Sequence, residues 1–216
     1  MLRCLALVLV TALPAKACET ALLLAIDVSG SIDRGEYALQ MQGLSEALRD
    51  PEIARVLLQD QVALGVVQWS GLERQAMVLP WQRMLSPHHL ADFIARAARQ
   101  PRAFRASDTA VGQAIAFSSA QFVNVADCRR KIIDISGDGP ENAGYTVGQA
   151  RAEAMDRGIQ INAIAIEDMG RSSPITSFYR KWVITRGGFV ITARGLGDYP
   201  RAIREKLLRE LIKPTG

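Results

Sequence analysis

The sequence has few of the residues on which many catalytic sites depend. Only two histidines are present, His88 and His89, and they are adjacent, so no further histidine exists to complete a zinc site with them. Neither a Ser-His-Asp set nor the glycine-lysine motif of a phosphate-binding loop can be recognised. These absences disfavour triad hydrolases, zinc enzymes and P-loop proteins. We therefore expect a protein that is not an enzyme, with both histidines at its surface.

No apolar segment is long enough to span a membrane. The run over residues 5–13 falls well short of the roughly 20 residues that a transmembrane helix needs. Arg3 precedes this run and an A-x-A sequence ending at Ala17 follows it, which is the layout of a secretory signal peptide. We predict a signal peptide at residues 1–17 and a mature protein that begins at Cys18. The alternatives are an uncleaved anchor and lipid attachment at Cys18.

Nothing in the sequence marks a second domain. There is no internal repeat, low-complexity tract or long linker, and a chain of 216 residues with 49% hydrophobic residues can bury one sizeable core. We predict a single domain at residues 18–216. Its formal charge falls from +4 to +2 when the two basic residues of the signal peptide are removed, which gives no reason to expect nucleic-acid binding.

The sequence contains one cluster of basic residues. Arginines recur every three residues at Arg96, Arg99, Arg102 and Arg105. The plain interpretation is a solvated surface. The alternative is a patch, above all Arg102 and Arg105, that steers an acidic partner and that salt would weaken.

Apolar runs and helical repeats alternate along the chain. The runs predict strands at residues 21–26, 62–69, 131–135, 159–166 and 189–192, with 75–79 as an antiparallel edge strand. The repeats predict helices at residues 33–49, 86–98, 109–123, 147–157 and 198–212. Asp33 with Glu36 predicts a capping box at the start of the first helix, and Ser86 before Pro87 predicts the N-cap of the second. Such alternation is typical of an α/β fold with a doubly wound, mostly parallel sheet covered by helices on both faces.

The two ends of the predicted sheet carry different chemistry. Asp27 ends the first strand and Asp138 follows the strand at 131–135, so both carboxylates reach one crevice if these strands are neighbours. Cys18 lies nine positions before Asp27, and Cys128 lies ten positions before Asp138, which would bring the two sulfurs together at the opposite end. In an oxidising compartment this spacing favours a Cys18–Cys128 disulfide over two unpaired thiols.

The turn after the first strand carries oxygen-bearing side chains at alternate positions. Asp27, Ser29 and Ser31 supply one carboxylate and two hydroxyls, a hard-oxygen set suited to Mg²⁺ or Ca²⁺. Taken alone, the pattern leaves ordinary helix capping as an equal alternative, because serine and aspartate also cap helices.

Two later segments complete a three-part pattern. They are Thr-Ala-Val-Gly-Gln-Ala-Ile at residues 109–115 and the turn Ser136-Gly137-Asp138-Gly139. With them, the sequence resembles the von Willebrand factor type A domain over residues 20–212. The resemblance implies a metal-ion-dependent adhesion site with Ser29, Ser31 and Thr109 as direct ligands and with Asp27 and Asp138 holding the ion mostly through water.

The function implied by this resemblance is cation-dependent protein binding. Bound Mg²⁺, or Ca²⁺ or Mn²⁺, would accept a Glu or Asp carboxylate of a protein partner, and the last predicted helix would shift on binding. The chain also looks like exported bacterial proteins of this type with no assigned role, which implies the periplasm or cell envelope. Asp108 departs from the pattern, and we interpret it as the N-cap of the following helix.

Two other functions stay open at this point. A Mg²⁺-dependent phosphohydrolase of the haloacid dehalogenase type would use Asp27 as nucleophile and Asp138 as metal ligand. However, Ser29 stands where that family has a second aspartate, and Lys131 lies inside a predicted strand, where it is poorly placed to neutralise phosphate. The other alternative is a structural scaffold that keeps the motif and binds no metal.

Overall fold

The computed structural model describes residues 18–105, 108–167 and 175–212. In these residues six strands form one sheet: β1 Thr20–Asp27, β2 Ala63–Trp69, β3 Gln75–Arg83, β4 Arg130–Gly137, β5 Ile159–Glu167 and β6 Val190–Arg194. The α-helices are α1 Arg34–Arg49, α2 Pro51–Gln59, α3 Pro87–Ala98, α4 Val111–Gln121, α5 Val147–Asp156, α6 Ile175–Phe178 and α7 Tyr199–Leu211. A π-helical turn at Tyr179–Val183 follows α6, and 3₁₀ turns lie at Phe122–Val125 and Leu196–Asp198.

Strand β1 lies inside the sheet, between β2 and β4. The strand order is β3-β2-β1-β4-β5-β6, and every neighbouring pair is parallel except β2 and β3. The predicted α/β fold, doubly wound and mostly parallel with one antiparallel edge strand, is confirmed. The strand order reverses at β1, so the carboxyl ends of β1 and β4 flank the crevice where sheets of this kind bind ligands.

Helices cover both faces of the sheet, so its central strands have no polar face. All eight residues of β1 are buried. Because side chains alternate between the faces, Leu24 and Ile26 join the apolar cluster beneath α1 and α7, whereas Leu23 and Ala25 join the cluster beneath α4 and α5. This double burial explains the uninterrupted apolar run in the sequence. It also gives Asp27, the last residue of β1, a rigid support.

Several helix starts follow the predicted capping signals. At α1 the Asp33 carboxylate accepts from Glu36 N at 2.8 Å, and the Glu36 carboxylate accepts from Asp33 N at 2.7 Å, which confirms the capping box. Ser86 caps α3 ahead of Pro87, also as predicted. Helix α2 has no counterpart among the predicted helices, because it follows α1 after a single residue, Asp50, whose side chain caps it.

The disulfide predicted from the cysteine spacing is confirmed. Cys18 and Cys128 are bonded at the amino ends of β1 and β4, with their Cα atoms 4.5 Å apart. The strand register leads directly into the bridge, since Thr20 pairs with Arg130 and Arg129 N donates to Cys18 O at 3.0 Å. A sulfur atom in a disulfide has no valence left for a lipid, so the structure favours the bridge over lipid attachment at Cys18.

Removing the disulfide is expected to lower the free energy of unfolding by about 2–4 kcal/mol. The bridge joins residues 110 positions apart, so its loss gives the unfolded chain many more conformations. Urea unfolding of the Cys18→Ala/Cys128→Ala double variant, compared with the oxidised parent, measures the difference and leaves neither cysteine of the pair unpaired. An unchanged unfolding midpoint would contradict the expectation.

Candidate metal-binding site

The turn that follows β1 is held by hydrogen bonds of its own residues. Asp27 and Ser29 are buried. Ser29 N donates to Asp27 Oδ1 at 2.7 Å, and Ile32 N donates to Ser29 O at 3.0 Å. Val28 N donates to Trp69 O of β2 at 2.8 Å, which ties the turn to the sheet. These bonds fix the positions of the turn's carboxylate and hydroxyl oxygens.

Two distant segments of the chain meet this turn. Ser31 Oγ donates to Asp138 Oδ1 at 2.7 Å and lies 3.3 Å from Ser29 Oγ. Asp138 follows β4, so the two aspartates lie at the same edge of the sheet. Thr109 is buried at the third side of the site, where its Oγ1 would lie 3.9 Å from a Cβ placed on Gly139. The structure thus brings Asp27, Ser29, Ser31 and Asp138 together and places Thr109 beside Gly139, the residue after Asp138.

The Asp27 carboxyl group is in an unfavourable position for a bare charge. Its Oδ2 atom is buried and has no hydrogen-bond partner among the described residues. Burial, followed by the negative charge of Asp138, raises the pKa of Asp27 to about 7. A cation beside the two carboxylates would offset both causes of this shift.

The donor atoms fit a hard divalent cation. Two carboxylates balance a doubly positive charge, and the hydroxyls of Ser29, Ser31 and Thr109 add neutral oxygen ligands of the kind that Mg²⁺ and Ca²⁺ accept. Within the described ranges no group of three His, Cys, Asp or Glu side chains could hold a metal ion. A nitrogen- or sulfur-rich zinc site of that composition is therefore not found there.

Arg102 contacts the turn directly. Its guanidinium donates to Val28 O at 2.8 and 3.2 Å and to Ser29 O at 2.8 Å. Gln68, buried in β2, fixes the arginine's loop by accepting from Ala103 N at 2.6 Å. Spacing along the chain does not indicate this contact, because Arg102 and Val28 lie 74 positions apart. Arg102 is thus placed to hold the backbone of the turn.

Backbone N–H groups at the start of α4 donate to side chains of a later loop, which the sequence pattern does not single out. The interpretation of Asp108 as its N-cap is wrong, since α4 begins three residues later without a side-chain cap and Asp108 is exposed. Glu141 instead accepts from Gly112 N at 2.8 Å, and Asn142 accepts from Thr109 N at 2.7 Å. The sequence gives no specific signal for these two contacts beyond the general rule that N–H groups at the start of a helix need acceptors. The loop after Asp138 thereby positions Thr109.

A buried tyrosine lies beneath the site. Tyr179, on the π-helical turn, is fully buried, and its hydroxyl has no hydrogen-bond partner in the part of the chain that the structure describes. A Cβ placed on Gly137 would overlap this hydroxyl and would lie 3.0 Å from Asp27 Oδ2 and 3.4 Å from Trp69 Cζ2. Burial, followed by the charges of Asp27 and Asp138, raises the pKa of Tyr179 well above its usual value. The hydroxyl therefore stays protonated and is available as a donor.

An open cleft lies beside Ser31 and Asp138. Its volume is about 180 Å³, and it is also lined by Glu36, Glu167 and Leu196. Ser31 itself is exposed. The site is therefore open to another molecule from this side.

The placement of Lys131 disfavours the phosphohydrolase alternative. Lys131 pairs with Ala21 at the amino end of the sheet, whereas Asp27 ends β1 at the carboxyl edge. At the rise of a β-strand these two levels are roughly 20 Å apart, too far for the Lys131 ammonium group to neutralise a phosphate at Asp27.

Comparisons with known proteins bear on both the family and the fold. A family model described as "Protein of unknown function (DUF1194)" matches residues 17–215. No curated protein matches the sequence. The helices among the described residues include none long and apolar enough to cross a membrane.

Solved structures with the same fold come from diverse proteins. The chain is similar to proximal thread matrix protein 1 from the mussel byssus, with 16% identity over 89% of this chain and 48% of that chain and a TM-score of 0.67. A further structure of that protein is described with a zinc-occupied MIDAS motif. The von Willebrand factor type A protein from Catenulispora acidiphila is 17% identical over 89% of this chain and 43% of that chain, with a TM-score of 0.65.

A third similar structure matches over almost its whole length. It is the conserved hypothetical protein BatB from Bacteroides thetaiotaomicron, which is 16% identical over 88% of this chain and 98% of that chain, with a TM-score of 0.58. By contrast, the chain spans about half the length of the byssus structure. At these identities the comparisons show the fold, and the resemblance to the von Willebrand factor type A domain is confirmed at that level.

Proposed function

The chain belongs to the family described as a protein of unknown function (DUF1194), and from this starting point we propose that it is a cation-dependent protein-binding module without catalytic activity. One observation carries the proposal. Asp27 Oδ2 is buried without a partner among the described residues, although the Asp138 carboxylate and the hydroxyls of Ser29 and Ser31 lie in the same cluster. A cation is the group that such an arrangement best accommodates.

The proposed ion is Mg²⁺, with Ca²⁺ or Mn²⁺ as alternatives. Ser29, Ser31 and Thr109 would bind it directly, and Asp27 and Asp138 would hold it mostly through water, since Mg²⁺ gives up its waters reluctantly. When bound, the cation supplies an electrophilic centre for a Glu or Asp carboxylate of a protein partner. The cleft beside Ser31 gives that carboxylate a route to the ion. The zinc-occupied motif of the byssus protein supports metal binding on this fold.

We further propose that the protein is exported to the bacterial periplasm or cell envelope. The signal peptide proposed for residues 1–17 lies outside the described residues, and a single domain at 18–216 would follow it. The disulfide supports this location, because disulfides persist in oxidising compartments.

Affinity capture from an envelope extract tests the proposed function. The protein used as bait with Mg²⁺ is expected to retain a partner that a chelator releases. Ser29→Ala should fail to retain this partner, whereas Ser45→Ala should retain it, because Ser45 is buried in α1 and bonds only to Met41 O in the described structure. Equal retention with and without chelator would contradict the proposal.

Ion binding is expected to weaken as the pH falls below about 7. The cation binds the ionised Asp27 carboxylate, whose pKa is raised to about 7, so protons compete with it. The Kd for Mg²⁺ should rise by up to about tenfold per pH unit below that value. Calorimetric titrations on both sides of pH 7 measure this change, and a Kd that is independent of pH would contradict it.

Without the ion, the Asp27 carboxyl group is expected to make the folded protein less stable as the pH rises. Its pKa is about 7 in the folded protein against 3.8 in an unfolded chain, so the folded state binds the proton more tightly. The resulting stability is fully present below pH 3.8 and is lost as the pH rises through 7. Added Mg²⁺ should therefore stabilise the protein more above pH 7 than below it.

Replacing Arg102 by alanine is expected to weaken Mg²⁺ binding about tenfold, because the turn loses the group that holds its carbonyls. Arg105→Ala is the matched control, since it removes the same charge from an exposed side chain nearby. Calorimetry of both variants separates two roles. If Arg102 acts by holding the carbonyls of the turn, only Arg102→Ala changes the ion affinity. Equal effects of both variants would indicate that only the lost positive charge matters.

A further inference from the structure

Two buried oxygens flank Gly137 beneath the candidate metal site. They are the Tyr179 hydroxyl and Asp27 Oδ2, and neither has a hydrogen-bond partner within the described residues. A Cβ on Gly137 would overlap the hydroxyl and lie 3.0 Å from the carboxylate oxygen. The absence of a side chain at Gly137 therefore lets the tyrosine approach the base of the site.

Burial of the Tyr179 hydroxyl is energetically unfavourable unless another group forms a hydrogen bond with it. A buried hydroxyl without a partner loses the hydrogen bonds that water gives it in the unfolded chain. Packing does not require it, because the ring already lies in the apolar cluster that contains Ile135 and Val183. A phenylalanine would supply the same apolar contacts without this cost. The hydroxyl thus indicates a role at the site above it.

The backbone around Tyr179 supports the same conclusion independently. Tyr179–Val183 forms a π-helical turn in which Ile184 N donates to Tyr179 O at 3.1 Å. Turns of this kind are rare and occur frequently at functional sites. Arg151 of α5 fixes the turn by donating to Lys181 O at 3.0 Å. The tyrosine is therefore held in place from two neighbouring elements.

We propose that Tyr179 is a positioning residue of the metal site, whose hydroxyl donates the hydrogen bond that holds the Asp27 carboxylate when a cation is bound. The inference rests on the proposed cation binding. Neither oxygen has a partner among the described residues, and in the proposed bound state each would satisfy the other. The chain therefore gives up stability without the ion and regains it on binding.

Tyr179→Phe tests this role through two measurements of opposite sign. In the presence of a chelator, loss of the unpartnered hydroxyl is expected to raise the melting temperature by roughly 2–6 °C. For Mn²⁺, measured by calorimetry at neutral pH, the Kd is expected to rise about tenfold or more. A role in packing alone would not produce this combination.

Tyr37→Phe is the matched control for the stability measurement. The Tyr37 hydroxyl is also buried, but it donates to Gln100 O at 2.8 Å and accepts from Gln68 Nε2 at 2.7 Å. Its removal should therefore lower the melting temperature.

The outcomes separate this inference from the proposed function. If Tyr179→Phe binds Mn²⁺ as tightly as the parent, or melts no higher than the parent in chelator, the role of Tyr179 is overturned while the metal site stands. If the parent itself binds no Mn²⁺, the proposed function is overturned and the inference falls with it.

Discussion

Replacing Lys206 by methionine is expected to lower the free energy of unfolding by about 3–5 kcal/mol. Lys206 of α7 is fully buried, and its Nζ lies 2.7 Å from Asp134 Oδ1 of β4 and 2.5 Å from Glu210 Oε1. Asn162 of β5 donates to the same Glu210 oxygen at 2.7 Å. Without the ammonium group, two buried carboxylates would face each other with no positive charge between them.

Urea unfolding of Lys206→Met measures this loss. Arg201→Met is the matched control, because Arg201 lies on the same helix and its pairs with Asp198 and Glu205 are exposed. The control is expected to cost less than about 1 kcal/mol. A loss of similar size in both variants would contradict a special role for the buried group.

The pH dependence of the Lys206→Met protein gives a further check on the cause. Burial outweighs the attraction of Lys206 and already raises the pKa of Asp134 to about 7. Once the lysine is gone, the Asp134 carboxyl group can relieve the repulsion by taking up a proton. The destabilisation should therefore be smaller in mildly acidic than in alkaline solution. Adding Asp134→Asn and Glu210→Gln should recover part of the stability.

Replacing Asp27 by asparagine is expected to weaken cation binding by roughly 100-fold or more, because the site loses one of its two charges in a buried setting. The amide keeps the shape of the side chain and an oxygen for the 2.7 Å hydrogen bond from Ser29 N. The ion-free variant should be more stable than the parent above pH 7, since it buries no charge at this position. Calorimetry with Mg²⁺ and thermal unfolding in chelator measure the two effects.

The Asp27→Asn protein also separates the competing functions. Mg²⁺ binding with the parent's affinity would contradict the proposed site. If the parent hydrolyses a generic phosphate ester and Asp27→Asn abolishes this turnover, the phosphohydrolase would be favoured instead. No heat of Mg²⁺ or Ca²⁺ binding from the parent would favour the structural scaffold.

The sequence was informative wherever one local pattern determined the outcome. Strands buried on both faces, such as β1, appear as apolar runs, and the alternating oxygens after Asp27 identify the turn beside them. Each cysteine precedes its aspartate by a similar distance, nine and ten positions, because the two pairs flank the parallel strands β1 and β4, and this made the disulfide predictable.

Contacts of residues that belong to no such pattern could not be predicted in this way. Helix α7 carries an apolar stripe, and charged residues beside such a stripe normally face solvent. Lys206 is buried only because β4 and β5 supply polar partners for it and for Glu210. Arg102 and Tyr179 reach the site for the same kind of reason, through contacts that leave no local pattern.

The expected shift of α7 on partner binding stays a prediction. The structure identifies the bonds that such a movement would break, namely the pair of Lys206 with Asp134 and the bond of Glu210 with Asn162. Arg204 also pairs with Asp50 at the junction of α1 and α2. A crosslink that pins α7 tests the shift, because unchanged partner affinity would exclude it.

The disulfide also determines how the domain responds to mechanical force. When the chain is pulled from Cys18 and from a point after Cys128, tension crosses the bridge and bypasses residues 19–127. Asp27, Ser29, Ser31 and Thr109 all lie inside this covalently closed segment, whereas Asp138 lies outside it. Under load, four of the five proposed metal residues therefore stay shielded from stretching, and separation of β4 from β1 becomes the step that would open the site.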